Sequence, residues 1–151
     1  RCPFASRIWW LLNRIYYDML IIERCVELNR LEQDLLHAFV AFALDYLNVP
    51  CPNAIIICAD RERSNIRTTA MFIPSSKTIK VLGYGRALPD ILRSCAHELV
   101  HFRQMLTGEL DKYPHIDVGG YLEDSASSGA AEMLKTFSYL FPPNLVYSPR
   151  Q

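Results

Sequence analysis

The chain has 151 residues and no net formal charge, because its 16 basic side chains are balanced by 16 acidic ones. Half of the residues are hydrophobic and 21% are charged, a globular composition that excludes disorder as the main state. The length predicts one domain over residues 1–151. The balanced charge offers no general attraction to a phosphate backbone, so we do not expect nucleic acid as a partner.

The most apolar N-terminal stretch runs from residue 8 to residue 22 and contains the polar residues Asn13, Arg14 and Asp18. A bilayer span needs about twenty mostly uncharged residues, so we expect neither a membrane span nor a signal peptide. The five cysteines are an odd number and include no Cys-x-x-Cys pair. This pattern favours free thiols and a cytoplasmic protein over a disulfide framework.

The N-terminal third is predicted to form two helices. Apolar residues at steps of three and four predict the first helix: Ile8, Leu12, Ile15, Met19, Ile22 and Val26. A second such set predicts the next helix, which ends before Pro50: Leu31, Leu35, Ala38, Phe42, Leu44 and Leu47. Aromatic residues of the first helix are expected to lie in the core or to form a docking face for a protein partner: Trp9, Trp10, Tyr16 and Tyr17.

Three β-branched segments then predict a small, mainly antiparallel sheet: Ala54–Ala59, Ile66–Ile73 and Thr78–Leu82. Polar residues 74–77 predict a hairpin, and we expect Thr78–Leu82 to be the edge strand on which an extended substrate lies. Pro89 predicts the start of a third helix that ends at Gly108, and a fourth begins near Leu122 and ends before Pro142. The order of helices, sheet and helices predicts an α+β domain.

The third predicted helix contains an HExxH sequence, His97-Glu98-Leu99-Val100-His101. Histidines four residues apart leave the same face of a helix and can bind one metal ion. Imidazole suits Zn²⁺, whose catalytic sites keep one position for water. Glu98 lies about 100° around the helix from His97, which favours a general base beside that water over a metal ligand.

A catalytic zinc site needs a third protein ligand, and the sequence offers three candidates. Glu123 is favoured because a fourth helix packed antiparallel to the third would direct its carboxylate at the histidines. Asp124 is its neighbour, rotated about 100° around the helix. His115 in the connecting loop is the rival candidate.

The motif helix and the start of the fourth helix resemble the short zincin metallopeptidases of gluzincin type. The matching residues are Ser94 to Gln104, Gly108-Glu109-Leu110 and Leu122-Glu123-Asp124. The similarity is greatest to small phage-encoded and bacterial metallopeptidases, and more distant to the ImmA/IrrE group. It implies a zincin-like fold, a location in the cytoplasm or in a phage virion, and hydrolysis of a peptide or protein substrate.

Carried over onto this sequence, the resemblance implies His97, His101 and Glu123 as zinc ligands and Glu98 as the general base. The chain departs from the thermolysin-like pattern, which has an aspartate at the position of Ser127. Other residues must then orient a ligand histidine, and three acidic residues are candidates: Asp111, Asp117 and Asp124. SprT-like proteases use a third histidine at a spacing close to that of His115.

Hydrolysis also needs a donor for the developing oxyanion besides the metal. Tyr113, Tyr121 and His115 belong to the segment expected to border the site, and the two tyrosines are included among the predicted catalytic residues. An alternative function is a regulatory or virion-associated interaction protein that has kept the motif without turnover. Its docking surface would be the N-terminal aromatic helix.

Overall fold

The structure, a computed structural model, describes residues 22–24, 28–59, 68–116 and 119–140. The helices and strands in chain order are β1 (Ile22–Arg24), α1 (Arg30–Leu47), β2 (Ala54–Cys58), β3 (Ala70–Ile73), β4 (Thr78–Leu82), α2 (Leu88–Leu106), α3 (Glu109–Lys112) and α4 (Tyr121–Leu140). These elements confirm the predicted α+β class.

The strands form one four-stranded sheet in the order β1-β2-β4-β3. The β1–β2 and β2–β4 pairs are parallel, and β3–β4 is antiparallel. The prediction of a mainly antiparallel sheet was therefore wrong, although the hairpin around residues 74–77 is confirmed. Strand β3 lies between β2 and β4 in the sequence and runs in the opposite direction, so it returns the chain and allows β4 to pair with β2 in parallel. Consequently β4 lies inside the sheet, and β3, not Thr78–Leu82, is the strand at this end.

The predicted N-terminal helix is wrong at its C-terminal end, because Ile22–Arg24 is a strand paired with β2. The helical spacing of the apolar residues did not decide the conformation here, because pairing with a strand distant in sequence stabilises the extended form. The aromatic residues of that predicted helix, Trp9, Trp10, Tyr16 and Tyr17, lie outside the described residues.

The other predicted helices are confirmed within one or two residues. Helix α1 begins with a capping box in which Asn29 and Glu32 bond each other's backbone N–H. Helix α2 has a proline in its first turn, and the chain leaves it through Gly108, which has a φ of 81°. The short helix α3 was not predicted. No helix of the described part of the chain has the length and apolar character to cross a membrane.

Helix α2 is the central element of the domain. It packs against β3 and β4 on one side and against α1 and α4 on the other. The core between the helices contains Phe39 and Phe137, whose rings meet edge to face with centroids 5.1 Å apart. The buried β2 and β4 side chains alternate along their strands and cover the sheet face of this core. The HExxH sequence thus lies on a helix that contacts both the sheet and two other helices.

Candidate metal centre

Three of the predicted ligands converge between α2 and α4. The Nε2 atoms of His97 and His101 lie 3.2 Å apart. The carboxylate of Glu123, in the first turn of α4, places Oε2 at 3.0 Å from His97 Nε2 and Oε1 at 2.9 Å from His101 Nε2. These three side chains can hold one metal ion.

The spacing of the three ligands fits a zinc site. Tetrahedral ligands with zinc bonds of about 2.0–2.1 Å lie about 3.3 Å apart, close to the separations between these atoms. Burial, followed by the neighbouring His101 imidazole, lowers the pKa of His97 below its usual value, against the opposing effect of Glu123. His97 is therefore neutral at pH 7, the protonation state in which an imidazole binds a metal.

A buried glutamine fixes the orientation of His101. Gln104 is completely buried, and its Nε2 donates to the backbone carbonyl of Leu122 at 3.0 Å. A carbonyl only accepts, so this bond assigns the other end of the amide, Oε1, to the contact with His101 Nδ1 at 2.7 Å. Nδ1 must then carry a proton, which leaves Nε2 as the ring nitrogen that can bind a metal.

A serine lies beside the other histidine. Ser127 Oγ is 3.4 Å from His97 Nδ1, at the position where the thermolysin-like pattern has an aspartate. The orienting partners are thus Gln104 and Ser127, and the prediction that acidic residues have this role is not supported by the placement of Asp111 and Asp124, which are exposed. Asp117 lies outside the described residues. The sequence does contain a signal for Gln104 that the prediction missed. Gln104 follows His101 by three residues and therefore lies on the same face of the helix.

Glu98 is the buried acid of the site, with 7% of its surface exposed. Burial and, to a smaller extent, the nearby Glu123 carboxylate together raise its pKa to about 8, against the opposing effect of the backbone N–H of Phe72 in β3, which donates to Glu98. The carboxyl group is thus held between the motif helix and the sheet. This is the environment of a group that exchanges protons near neutral pH.

A cleft of about 600 Å³ opens onto the histidines, Glu98 and Glu123. Its other wall is Thr68 to Phe72, the start of β3 and the two residues before it. Leu82 donates to the Thr69 carbonyl at 2.8 Å, so the alternate residues Ala70 and Phe72 direct their backbone groups away from β4. The cleft therefore combines a possible metal site with the outer side of a strand.

The remaining predicted residues lie around this site. Tyr113 and Tyr121 stack with ring centroids 4.2 Å apart, but neither lines the cleft, and their assignment as oxyanion donors stays a prediction. His115 bonds the Leu110 carbonyl through Nε2 at 2.8 Å. It lines a separate cavity of about 70 Å³ next to Glu123, outside the ligand cluster. Asp124 also lies outside that cluster.

Small residues bring α4 close to α2. A Cβ added at Gly129 would lie 3.2 Å from Cγ2 of Val100, and Ala126 and Ala130 are completely or almost completely buried. Larger side chains at these positions would separate the two helices. Glu123 belongs to α4 and the histidines to α2, so this close packing sets the distance between the Glu123 carboxylate and the two imidazoles.

Comparisons with protein-family models, with curated proteins and with solved structures found no match to this chain. The functional inference therefore rests on the motif and on the geometry of the site.

Proposed function

We propose that this protein is a zinc-dependent metallopeptidase of zincin type. The observation that carries the proposal is the convergence of His97 Nε2, His101 Nε2 and the Glu123 carboxylate beside the buried carboxyl of Glu98. Two imidazoles and one carboxylate are a donor set of catalytic zinc sites, which leave a fourth position open. The cleft gives a substrate access to that position.

When bound to this donor set, zinc supplies Lewis acidity, which polarises a carbonyl and lowers the pKa of a water ligand to about 7. In its ionised form, which the positive charge of a bound ion would favour, Glu98 accepts the proton of the attacking water and returns it to the leaving amine. The N–H of Phe72 keeps the Glu98 carboxyl directed into the cleft during both transfers. His97 and His101 keep their ring orientation through Ser127 and Gln104.

The substrate is an extended peptide that pairs with β3 by strand addition. The Ala70 N–H and the Phe72 carbonyl point away from β4 and are suited to bond a peptide backbone, since Phe72 N–H contacts Glu98 and the Ala70 carbonyl accepts from the Thr68 hydroxyl. Pairing there would hold the peptide between β3 and the metal centre. Strand β3 thus takes the role that the sequence pattern assigned to Thr78–Leu82.

The first test measures zinc content and peptide hydrolysis on the same preparations. We expect about one zinc per chain in the wild type and its loss in His101→Ala and Glu123→Ala. Mass spectrometry of a peptide library incubated with the zinc-loaded protein should show cleavage. Glu98→Gln, which keeps shape and metal ligands, should retain zinc and abolish cleavage.

The possible results separate the alternatives. Failure of the wild type to bind supplied zinc would overturn the proposal. Zinc binding without cleavage of any peptide would favour the interaction protein that has kept the motif without turnover. Equal cleavage by wild type and Glu98→Gln would show that Glu98 is not the general base.

A further inference from the structure

Arg93 is a cationic side chain in the wall of the cleft. It precedes His97 by four residues in α2, so both leave the same face of the helix one turn apart. Arg93 is exposed and lines the cleft together with Glu98, Glu123 and the two histidines. A substrate that reaches the metal centre therefore passes within reach of a guanidinium group.

The guanidinium of Arg93 differs from that of Arg86, seven residues earlier. Arg86 donates to the carbonyls of Leu82 and Asp90 and to Ser94 Oγ at 2.9–3.1 Å, and so ties the start of α2 to the end of β4. Within the described ranges, neither a carboxylate nor a carbonyl is in hydrogen-bond contact with Arg93. As far as the described residues go, the Arg93 donors are thus available to a group that enters the cleft.

The charges of the cleft favour an anionic group at this point. A divalent ion on the His97, His101 and Glu123 donors would leave a positive centre, and Arg93 adds a further charge on the same wall. A guanidinium fork binds a carboxylate through two parallel hydrogen bonds, which gives direction as well as charge.

We propose that Arg93 selects peptides with a carboxylate close to the cleaved bond, an inference that rests on the proposed peptidase function. Four helical residues span about 6 Å, which matches about two residues of an extended peptide. The carboxylate is thus an acidic side chain, or the free C-terminus, within about two residues of the cleaved bond.

The experiment uses peptide sets that differ only in Glu, Gln or Lys at each position near the cleaved bond, each with a free or an amidated C-terminus. The wild type should cleave the best acidic peptide with a kcat/KM about tenfold or more above its Gln counterpart. Arg93→Gln should remove this preference, and Arg93→Glu should transfer it to Lys. Arg30→Gln, a matched loss of an exposed arginine outside the cleft, should leave it unchanged.

Comparison of the free with the amidated peptides, and of the Glu with the Gln peptides, distinguishes the two kinds of carboxylate. A preference lost on amidation indicates recognition of the C-terminus, and one that follows Glu against Gln indicates a side chain. Equal cleavage of all members by the wild type, or an acid preference that survives in Arg93→Gln, would overturn the inference and leave the peptidase function intact.

Binding of peptide hydroxamates makes the inference testable apart from turnover. Hydroxamates that carry Glu, Gln or Lys are titrated calorimetrically into the zinc-loaded wild type and Arg93→Gln protein. Tighter binding of the Glu compound by the wild type alone would support the role of Arg93 even if no peptide were cleaved. Equal binding of the three compounds would overturn it. Circular dichroism of each variant checks that the substitution has not unfolded the chain.

Discussion

Gln104 of α2 links His101, on the same helix, to the backbone of α4. Its side-chain oxygen lies 2.7 Å from His101 Nδ1, and its amide nitrogen bonds the carbonyl of Leu122, the residue before Glu123. The same amide thus sets the proton position of one ligand and holds the backbone next to another. The position of His101 relative to Glu123 therefore depends on the buried Gln104 side chain.

Gln104→Ala should weaken zinc binding by about 10- to 100-fold, because loss of a partner that orients a histidine ligand has this typical effect. Competition with a chromophoric chelator measures the affinity. Gln33→Ala is the matched control, since Gln33 Nε2 likewise bonds a backbone carbonyl, that of Leu28, far along the chain from the centre. Unchanged zinc affinity in Gln104→Ala would contradict the orienting role.

Glu98 should make the metal-free protein less stable as the pH rises from 6.5 to 8. Its native pKa of about 8 lies above the ordinary value of 4.5, so the native state keeps a proton that the unfolded chain has lost. Folding therefore becomes less favourable with rising pH, by on the order of 1 kcal/mol over this window. His97 opposes this decline in part, because its native pKa is lowered and the unfolded chain, with the ordinary value of 6.5, still releases a proton from it at the start of the window.

Urea unfolding in the presence of a chelator measures this dependence. Glu98→Gln has no carboxyl group to titrate and should lose the decline, so that it exceeds the wild type in stability at pH 8 more than at pH 6.5. Parallel pH profiles of the two proteins would show that Glu98 is ionised throughout the window.

His115→Ala and Asp124→Ala should each keep about one zinc per chain. Both side chains lie outside the ligand cluster, and His115 bonds the Leu110 carbonyl instead. Elemental analysis after dialysis checks this, with Glu123→Ala as the variant that loses the metal. Loss of zinc in His115→Ala alone would identify the histidine as the third ligand and exclude the glutamate.

Gly129→Leu should destabilise the fold by about 2 kcal/mol and weaken zinc binding, because even a Cβ atom there lies 3.2 Å from Val100. The bulk of leucine must move α4 away from α2, and Glu123 moves with it. Ser128→Leu, on the exposed side of the same helix, is the control and should change neither property appreciably. Thermal unfolding and zinc competition on both variants test the prediction. An unaltered zinc affinity in Gly129→Leu would show that helix spacing does not set the site.

Local patterns in the sequence were sufficient to predict three helices and the hairpin. Helical periodicity ends at residues that stop a helix, such as Asn48, which adopts the left-handed conformation in the structure. The contact of Glu123 with the histidines was also predictable, because a carboxylate in the first turn of an antiparallel neighbour faces them. The helices and the hairpin depend on residues that are close in sequence, and the Glu123 contact depends on one assumption about how two helices pack.

The strand pairing was not predictable in this way. An alternating segment such as Thr78–Leu82 fits either direction of pairing, and the choice depends on distant partners. The orienting role of Gln104 was missed because its acceptor and donor partners belong to two different helices. Its spacing from His101 was visible, whereas the nearby Leu122 carbonyl required the tertiary structure.

The three candidate ligands come from two helices, and His101 and Glu123 are 22 residues apart in the sequence. An ion that binds all three closes this segment into a loop and, because the unfolded chain lacks the site, stabilises only the folded protein. The gain grows with the logarithm of free zinc, by about 1.4 kcal/mol for each tenfold increase above the dissociation constant. Removal of such an ion would empty the site and raise the unfolded fraction of the chain in the same step.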